Sequence, residues 1–205
     1  MRPPVHPLDV RDLDVHENAG AVTMLRATKT RSITVSTASA DSRPLRITRA
    51  DQAKSEWCWA ACGAMIASYL GLPGITQCKI VNNYLAGSES CIDASSDADK
   101  CNYPCAEEDI SAQYDRVGIG SIEVGRALEL GEIATEIDAT RPVLAMITFS
   151  AGASHVLLLT GYSKGNVYAI DTRPGYGEAW LDYTVFKQAH GAGWWTASWI
   201  SIARR

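Results

Sequence analysis

Apolar positions recur with helical spacing first at residues 58–70. There Ala61, Met65 and Tyr69 fall on one face with Cys62 and Ile66 beside it. Gly71 supplies a left-handed stop, and Pro73-Gly74 ends the element. Thr76 is placed to cap a second helix over 77–85, closed by Gly87. The acids Glu107, Glu108 and Asp109 start a helix running to about residue 114, at the end where negative charge is favoured. Residues 125–130 suggest a helical turn, and 131–139 a short helix. Beyond them the pattern changes to apolar runs and alternation. Residues 141–149 read as a buried strand, 151–162 and 166–171 as a hairpin, 179–183 as a further strand, 185–189 as a short helix, and 195–202 as a last alternating strand. Helices followed by an antiparallel sheet make an α+β fold. Residues 1–43 carry no sustained periodicity. They hold three of the eight prolines and the polar run at 36–42, and read as a loosely ordered tail or pro-segment, with possible short strands at 31–35 and, beyond the tail, 45–48. The folded domain is expected over 44–205.

The hairpin brings two titratable residues together. Ser163-Lys164-Gly165 fits a three-residue loop, a type I turn with Gly165 left-handed. That register pairs Tyr162 with Asn166 and Leu157 with Asp171. His155 and Asp171 are then diagonal neighbours on one face, with Cβ atoms roughly 7–8 Å apart or less. A two- or four-residue loop would send them to opposite faces.

A third residue completes a chemistry. Cys58 opens the first helix, where the helix dipole favours a thiolate. Gln52, six positions upstream, offers an amide to an oxyanion forming beside that sulfur. An imidazole that takes the thiol proton and returns it to a leaving group, with a carboxylate on its other nitrogen, is what nucleophilic catalysis by cysteine requires. Taken singly, each has a plainer reading: Cys58 as a buried thiol, His155 as a strand-capping histidine, Asp171 as a strand end before Pro174, Gln52 as a solvated loop residue. The run Gln52-Ala53-Lys54-Ser55-Glu56-Trp57-Cys58-Trp59-Ala60-Ala61, with His155 and Asp171 following in that order, resembles the papain-like cysteine peptidases. The closer resemblance is to bacterial members of the AvrRpt2, staphopain and C39-like type. It covers about a third of the chain, roughly residues 52–70 and 141–174. The resemblance implies Cys58 as nucleophile, His155 as acid and base, Asp171 as orienter and Gln52 as oxyanion donor, with no cofactor or metal. It also implies a nucleophile helix packed on the base-bearing sheet. In papain an Asn-Ser-Trp run stands where this chain has Asp171-Thr172-Arg173-Pro174, so an aromatic cover over the His–Asp pair is not expected.

Composition narrows the setting. At 46% hydrophobic and 20% charged, the 205 residues are those of a globular protein with a sizeable core. A net charge of −4 with no basic stripe points away from nucleic acid, and no apolar run is long enough for a membrane span. The N-terminus lacks the apolar stretch of a secretory signal, while relatives of this type are often exported. Secretion or translocation as a bacterial effector is therefore the expectation, with a cytoplasmic location as the alternative. Cys62, Cys78, Cys91, Cys101 and Cys105 crowd into 44 positions and read as disulfide material, with reduced buried thiols or a zinc site as alternatives. The expected partner is a protein or peptide substrate, and the expected state a monomer. Two other functions use the same residues. A Cys-His-Asp site can deamidate or transamidate glutamine, and a papain-like fold can serve as a non-catalytic binding module.

Overall fold

The computed structural model describes residues 44–85, 91 and 101–205. The sequence-predicted tail and its strand at 31–35 lie outside the described residues, as does Gly87. The helical half comprises α1 (Cys58–Tyr69), α2 (Gln77–Leu85), a 3-10 turn at Glu107–Asp109 and α3 (Ile110–Asp115). The rest interleaves β1 (Ile119–Val124), α4 (Leu130–Asp138), β2 (Val143–Phe149), β3 (Ser154–Ser163), β4 (Asn166–Asp171), β5 (Gly177–Asp182), α5 (Tyr183–Lys187) and β6 (Gly193–Arg204). The strands form one sheet in the order β1-β6-β2-β3-β4-β5, antiparallel throughout.

α1 ends as its sequence predicts. Gly71 has φ +69°, Leu72 N–H donates to Ala67 O at 2.9 Å, and Gly71 N–H donates to Ser68 O at 3.1 Å. These two bonds are the Schellman closure, which satisfies carbonyls the helix would otherwise leave open. At α2 the Thr76 hydroxyl accepts from Lys79 N–H at 3.2 Å, the expected cap.

The sheet is covered on both faces, which explains the continuous apolar run of β2. Leu144 and Met146 join Val156, Leu158, Ile170, Ala197 and Trp199 in a core shared with α1, α2 and α3. Val143, Ala145 and Ile147 join Leu157, Leu159, Val167, Ala169 and Trp195 in a second core with Ile133 and Ile137 of α4. Alternate residues of one strand thus feed two cores, so no polar face interrupts the run. α1 packs tightly on its helical neighbours: a Cβ at Gly63 would stand 2.7 Å from the Tyr114 ring and 2.9 Å from Ile80 Cδ1.

One strand is absent from the sequence reading, and three expectations need correcting. β1 has no periodic signal, because its only fully buried apolar residue is Ile119 and Ile122 is exposed. Tertiary pairing with β6 makes it a strand. Residues 45–48 run alongside β3 without forming a strand, joined by Leu45 N–H donating to Thr160 O at 2.7 Å. No helical turn forms at 125–129; the helix begins at Leu130, where the Glu132 carboxylate accepts from Glu129 N–H at 2.8 Å. The hairpin loop also has two residues, not three. Ser163 pairs with Asn166, Tyr162 with Val167 and Gly161 with Tyr168, leaving Lys164 and Gly165 (φ +75°) as the loop.

By itself that loop would put His155 and Asp171 on opposite faces. A bulge cancels the slip. Between Gly161 and Leu159 the pairing shifts by one, Thr160 being the extra residue, so that Leu159 pairs with Ala169 and Leu158 with Ile170. This is the register in which Leu157 faces Asp171. The bulge stands where the incoming chain crosses β3. A Cβ at Gly161 would lie 3.2 Å from Pro44 Cα and 3.1 Å from Tyr168 Cβ. The Thr160 carbonyl, turned out of the ladder, accepts from Leu45.

Candidate active site

Cys58 is the first residue of α1 and is 9% exposed. Both flanking tryptophans anchor it by packing. The Trp57 indole donates to Cys101 O at 2.7 Å, and Trp59 meets Tyr84 edge-on with ring centroids 5.6 Å apart. Tyr114 OH donates to Trp59 O at 2.8 Å. The helix start is therefore clamped by α3 and by the chain at 101–103, which fixes where the sulfur projects.

His155 is the second residue of β3, and its ring is buried between two partners. Nε2 lies 2.9 Å from Asp171 Oδ1. Cys58 is the imidazole's second electrostatic partner, and its interaction favours the charged ring. Burial alone would lower the imidazole pKa. The Asp171 charge and hydrogen bond, with Cys58 adding to them, outweigh it and raise the value to about 9.

Asp171, at the end of β4, is the most heavily bonded carboxylate of the site. Oδ1 accepts from His155 and from Arg173 N–H at 2.9 Å, while Oδ2 accepts from Arg173 Nη2 at 2.6 Å. Burial would raise its pKa; His155 and Arg173 override it and hold the group below the ordinary carboxylate range. Its main-chain carbonyl accepts from Arg49 Nε at 2.9 Å, and Arg49 Nη2 also donates to Arg173 O at 3.0 Å. Arg49 in turn pairs with Asp51. The Arg173 guanidinium lies 3.9 Å over the Tyr176 ring. Where papain places an aromatic cover, this chain sets an arginine–tyrosine stack against the carboxylate.

Gln52 is buried and held at both ends. Its Oε1 accepts from Thr172 Oγ1 at 3.0 Å, and its Nε2 donates to Lys54 O at 3.0 Å and Ser55 O at 2.6 Å. Two carbonyls on one side and a hydroxyl on the other fix which way the amide points. Gln52 N–H donates to Thr172 O at 2.6 Å. Thr172 follows Asp171, so one turn carries both the carboxylate and the group that seats the glutamine. Gln77 of α2 braces the loop from behind, accepting from Ala53 N–H at 2.9 Å and donating to Asp51 O at 2.8 Å.

His155 is thus hydrogen-bonded to Asp171 and coupled electrostatically to Cys58, and Gln52 is tied to Thr172, the residue after Asp171. Arg173, Thr172, Arg49 and Gln77 carry no mark in the sequence that singles them out. The only signal is the adjacency of Thr172 and Arg173 to Asp171, which reads equally well as an ordinary turn. Of the tryptophans on β6, Trp195 and Trp199 are buried, whereas Trp194 is 63% exposed. Cys62 is a core thiol, wholly buried, with Sγ 3.8 Å from Val156 O; burial, then Cys58 and Asp171, push its pKa well up. His190, outside this site, is half-buried, and burial lowers its pKa.

Comparison with known proteins agrees with this architecture. The peptidase domain of Streptococcus ComA superposes with a TM-score of 0.56 at 14% identity, over 76% of this chain and 97% of that one. A C39-like peptidase from Bacillus anthracis superposes with a TM-score of 0.56 at 15% identity, over 80% of this chain and all of that one. At such identities the likeness is one of fold, the papain-like α+β arrangement. No curated protein matches the chain. The family model of the papain-like cysteine protease AvrRpt2 matches residues 41–202. The chain belongs to that family and is a papain-like cysteine peptidase.

Proposed function

We propose that the protein is an endopeptidase that cleaves a protein or peptide substrate through a Cys58–His155–Asp171 triad. The observation that supports it best is the placement of His155, hydrogen-bonded through Nε2 to Asp171 and held in its charged form by both Asp171 and Cys58. Cys58 Sγ attacks the scissile carbonyl as the thiolate of an ion pair in which His155 already holds the proton. The tetrahedral oxyanion is received by Cys58 N–H and the Gln52 amide. In the resting arrangement both hydrogens of that amide go to Lys54 and Ser55 carbonyls, so the role requires one to turn toward the oxyanion as substrate enters. The imidazolium then protonates the departing amine, leaving an acyl-thioester. A water molecule, deprotonated by His155, hydrolyses it. Asp171 keeps the ring oriented and stabilises its positive charge. Export from the producing cell belongs to the same proposal and rests on the AvrRpt2 likeness. Among the described residues no helix is long and apolar enough to cross a membrane.

Incubation with a mixture of peptides and intact proteins, read by mass spectrometry, tests the reaction. Chain cleavage by the native protein, absent with C58A, is the expected result. A gain of one dalton on an intact chain would identify a glutamine deamidase, and loss of ammonia with cross-linking a transglutaminase.

The acid–base assignment predicts a pH profile. An imidazole whose pKa is raised to about 9 stays protonated up to that pH and loses its proton above it. Because the leaving amine needs that proton, kcat/KM is expected to hold through neutral pH and fall above about 9. A decline beginning near 6.5, the ordinary histidine value, would show that Asp171 does not support the ring charge.

A further inference from the structure

α2 carries a second arrangement of sulfur that the peptidase reading does not use. Cys91 Sγ lies 3.2 Å from Cys78 Sγ, thirteen positions away in sequence. The main chain at Cys91 is also gripped. Asn82 Nδ2 donates to Cys91 O at 2.8 Å, and Asn82 Oδ1 accepts from Cys91 N–H at 2.7 Å. Cys78 and Asn82 are four residues apart on α2, so one helix face presents both the thiol and the two-bond clamp that delivers its neighbour. A side-chain amide that reproduces strand-like pairing to a single residue fixes that residue's position and direction. The sulfurs need to close by only about 1 Å to reach a bonded separation of about 2.0 Å.

We propose that Cys78 and Cys91 form a disulfide by exchange with a small-molecule disulfide such as glutathione disulfide, stapling the segment at Cys91 onto α2. Cys78 is half-buried and the more accessible residue of the two, Cys91 being 2% exposed. The Cys78 thiolate attacks glutathione disulfide, forming a mixed disulfide and expelling one glutathione thiolate. Cys91 then loses its proton, and its sulfur attacks Cys78 Sγ and expels the second glutathione. Two protein thiols are oxidised, and one glutathione disulfide is reduced to two thiols. The other sulfurs are less suited. Cys62 is enclosed between α1 and β3, and burial, then Asp109, Cys58 and Glu108, push the Cys105 thiol up to about 12. The bond would rigidify the helix whose Gln77 braces the Gln52 loop, but it stands independently of whether that loop serves a peptidase.

The test uses the full chain with C58A as background, so that the reactive site cannot exchange. The protein is incubated with glutathione disulfide, alkylated without reduction, digested and analysed by mass spectrometry. Support is a loss of about 2 Da and a linked peptide containing Cys78 and Cys91, with a melting temperature about 5–10 °C above the reduced form. That shift should vanish in C78S and in C91S. A stable glutathione adduct on Cys78, alkylation of both thiols, or linkage of either to Cys101 or Cys105 would overturn the proposal. The linked peptide is read on the protein with all its other cysteines intact, so a failure of either serine variant to fold does not affect that result.

Discussion

C58A is expected to lose turnover entirely, and H155A to lose about 10,000-fold in kcat/KM while keeping its fold. Alanine at 58 removes the atom that forms the acyl-thioester, and Cys62, one helical turn on, cannot substitute because it is wholly buried against Val156. Alanine at 155 leaves the sulfur in place without its proton acceptor. The fold should survive H155A because Asp171 retains Arg173, which supplies hydrogen bonds to both carboxylate oxygens. No buried charge is then left alone, which is the circumstance that makes removal of an ion-pair partner costly. Iodoacetamide at about pH 6 gives a second measurement that needs no substrate. Ordinary thiols, with pKa near 8.5, react slowly there. Rapid labelling confined to Cys58 and lost in H155A is the expected outcome. Labelling at the rate of the other cysteines would mean that no activated pair exists and would leave the fold as a binding module.

D171A should act on stability as well as on rate. It strips His155 and Arg173 of their shared anion in a pocket where Asp171 is 3% exposed, and it leaves Arg173 N–H without its acceptor. A loss of about 3–5 kcal/mol is expected by denaturant unfolding, the range for breaking one side of a buried ion pair. D171N separates charge from contact, since it keeps an oxygen for hydrogen bonding but removes the negative charge that raises the imidazole pKa. Its alkaline limb should move down from about 9 toward 6.5, with activity at pH 8 falling more than activity at pH 6. The pair also makes folding pH-dependent. His155 has a raised folded-state pKa, so its contribution to stability is complete below about 6.5 and disappears as pH rises through about 9. Unfolding free energies at pH 6 and pH 10 should therefore differ in the native protein and converge in D171N. Equal pH dependence in both would show that the His155–Asp171 contact carries no charge coupling.

Signals contained within a few residues are legible in the sequence itself. The limits of α1, with Cys58 at its start and Gly71 past its end, follow from helical periodicity and from the one residue type that takes φ +69° without strain. The cap at Thr76, the acids before α3 and the apolar run of β2 are equally local. So is the order Gln52, Cys58, His155, Asp171, which carries the family resemblance without any knowledge of contacts.

Whatever depends on chain segments far apart in sequence is decided only by the tertiary structure. The hairpin shows it most clearly. The pairing of Leu158 with Ile170 matches the sequence expectation, yet the extra residue is Thr160 rather than one in the loop, because Pro44 and Leu45 cross β3 there. Nothing near residue 160 announces a crossing by a segment 115 positions upstream. β1 exists because β6 pairs with it, not because its six residues prefer a strand. The seating of Gln52 by Thr172, the bracing by Gln77 and the hold of Arg173 on Asp171 are contacts between polar side chains with no periodicity. Local sequence sets which elements can form and which chemical groups the chain carries. The distances and protonation states of those groups come from burial and from partners brought in by long-range packing. The sequence alone therefore determined a cysteine, a histidine and an aspartate in a papain-like order, while only the fold decided that the histidine and the aspartate bond to each other.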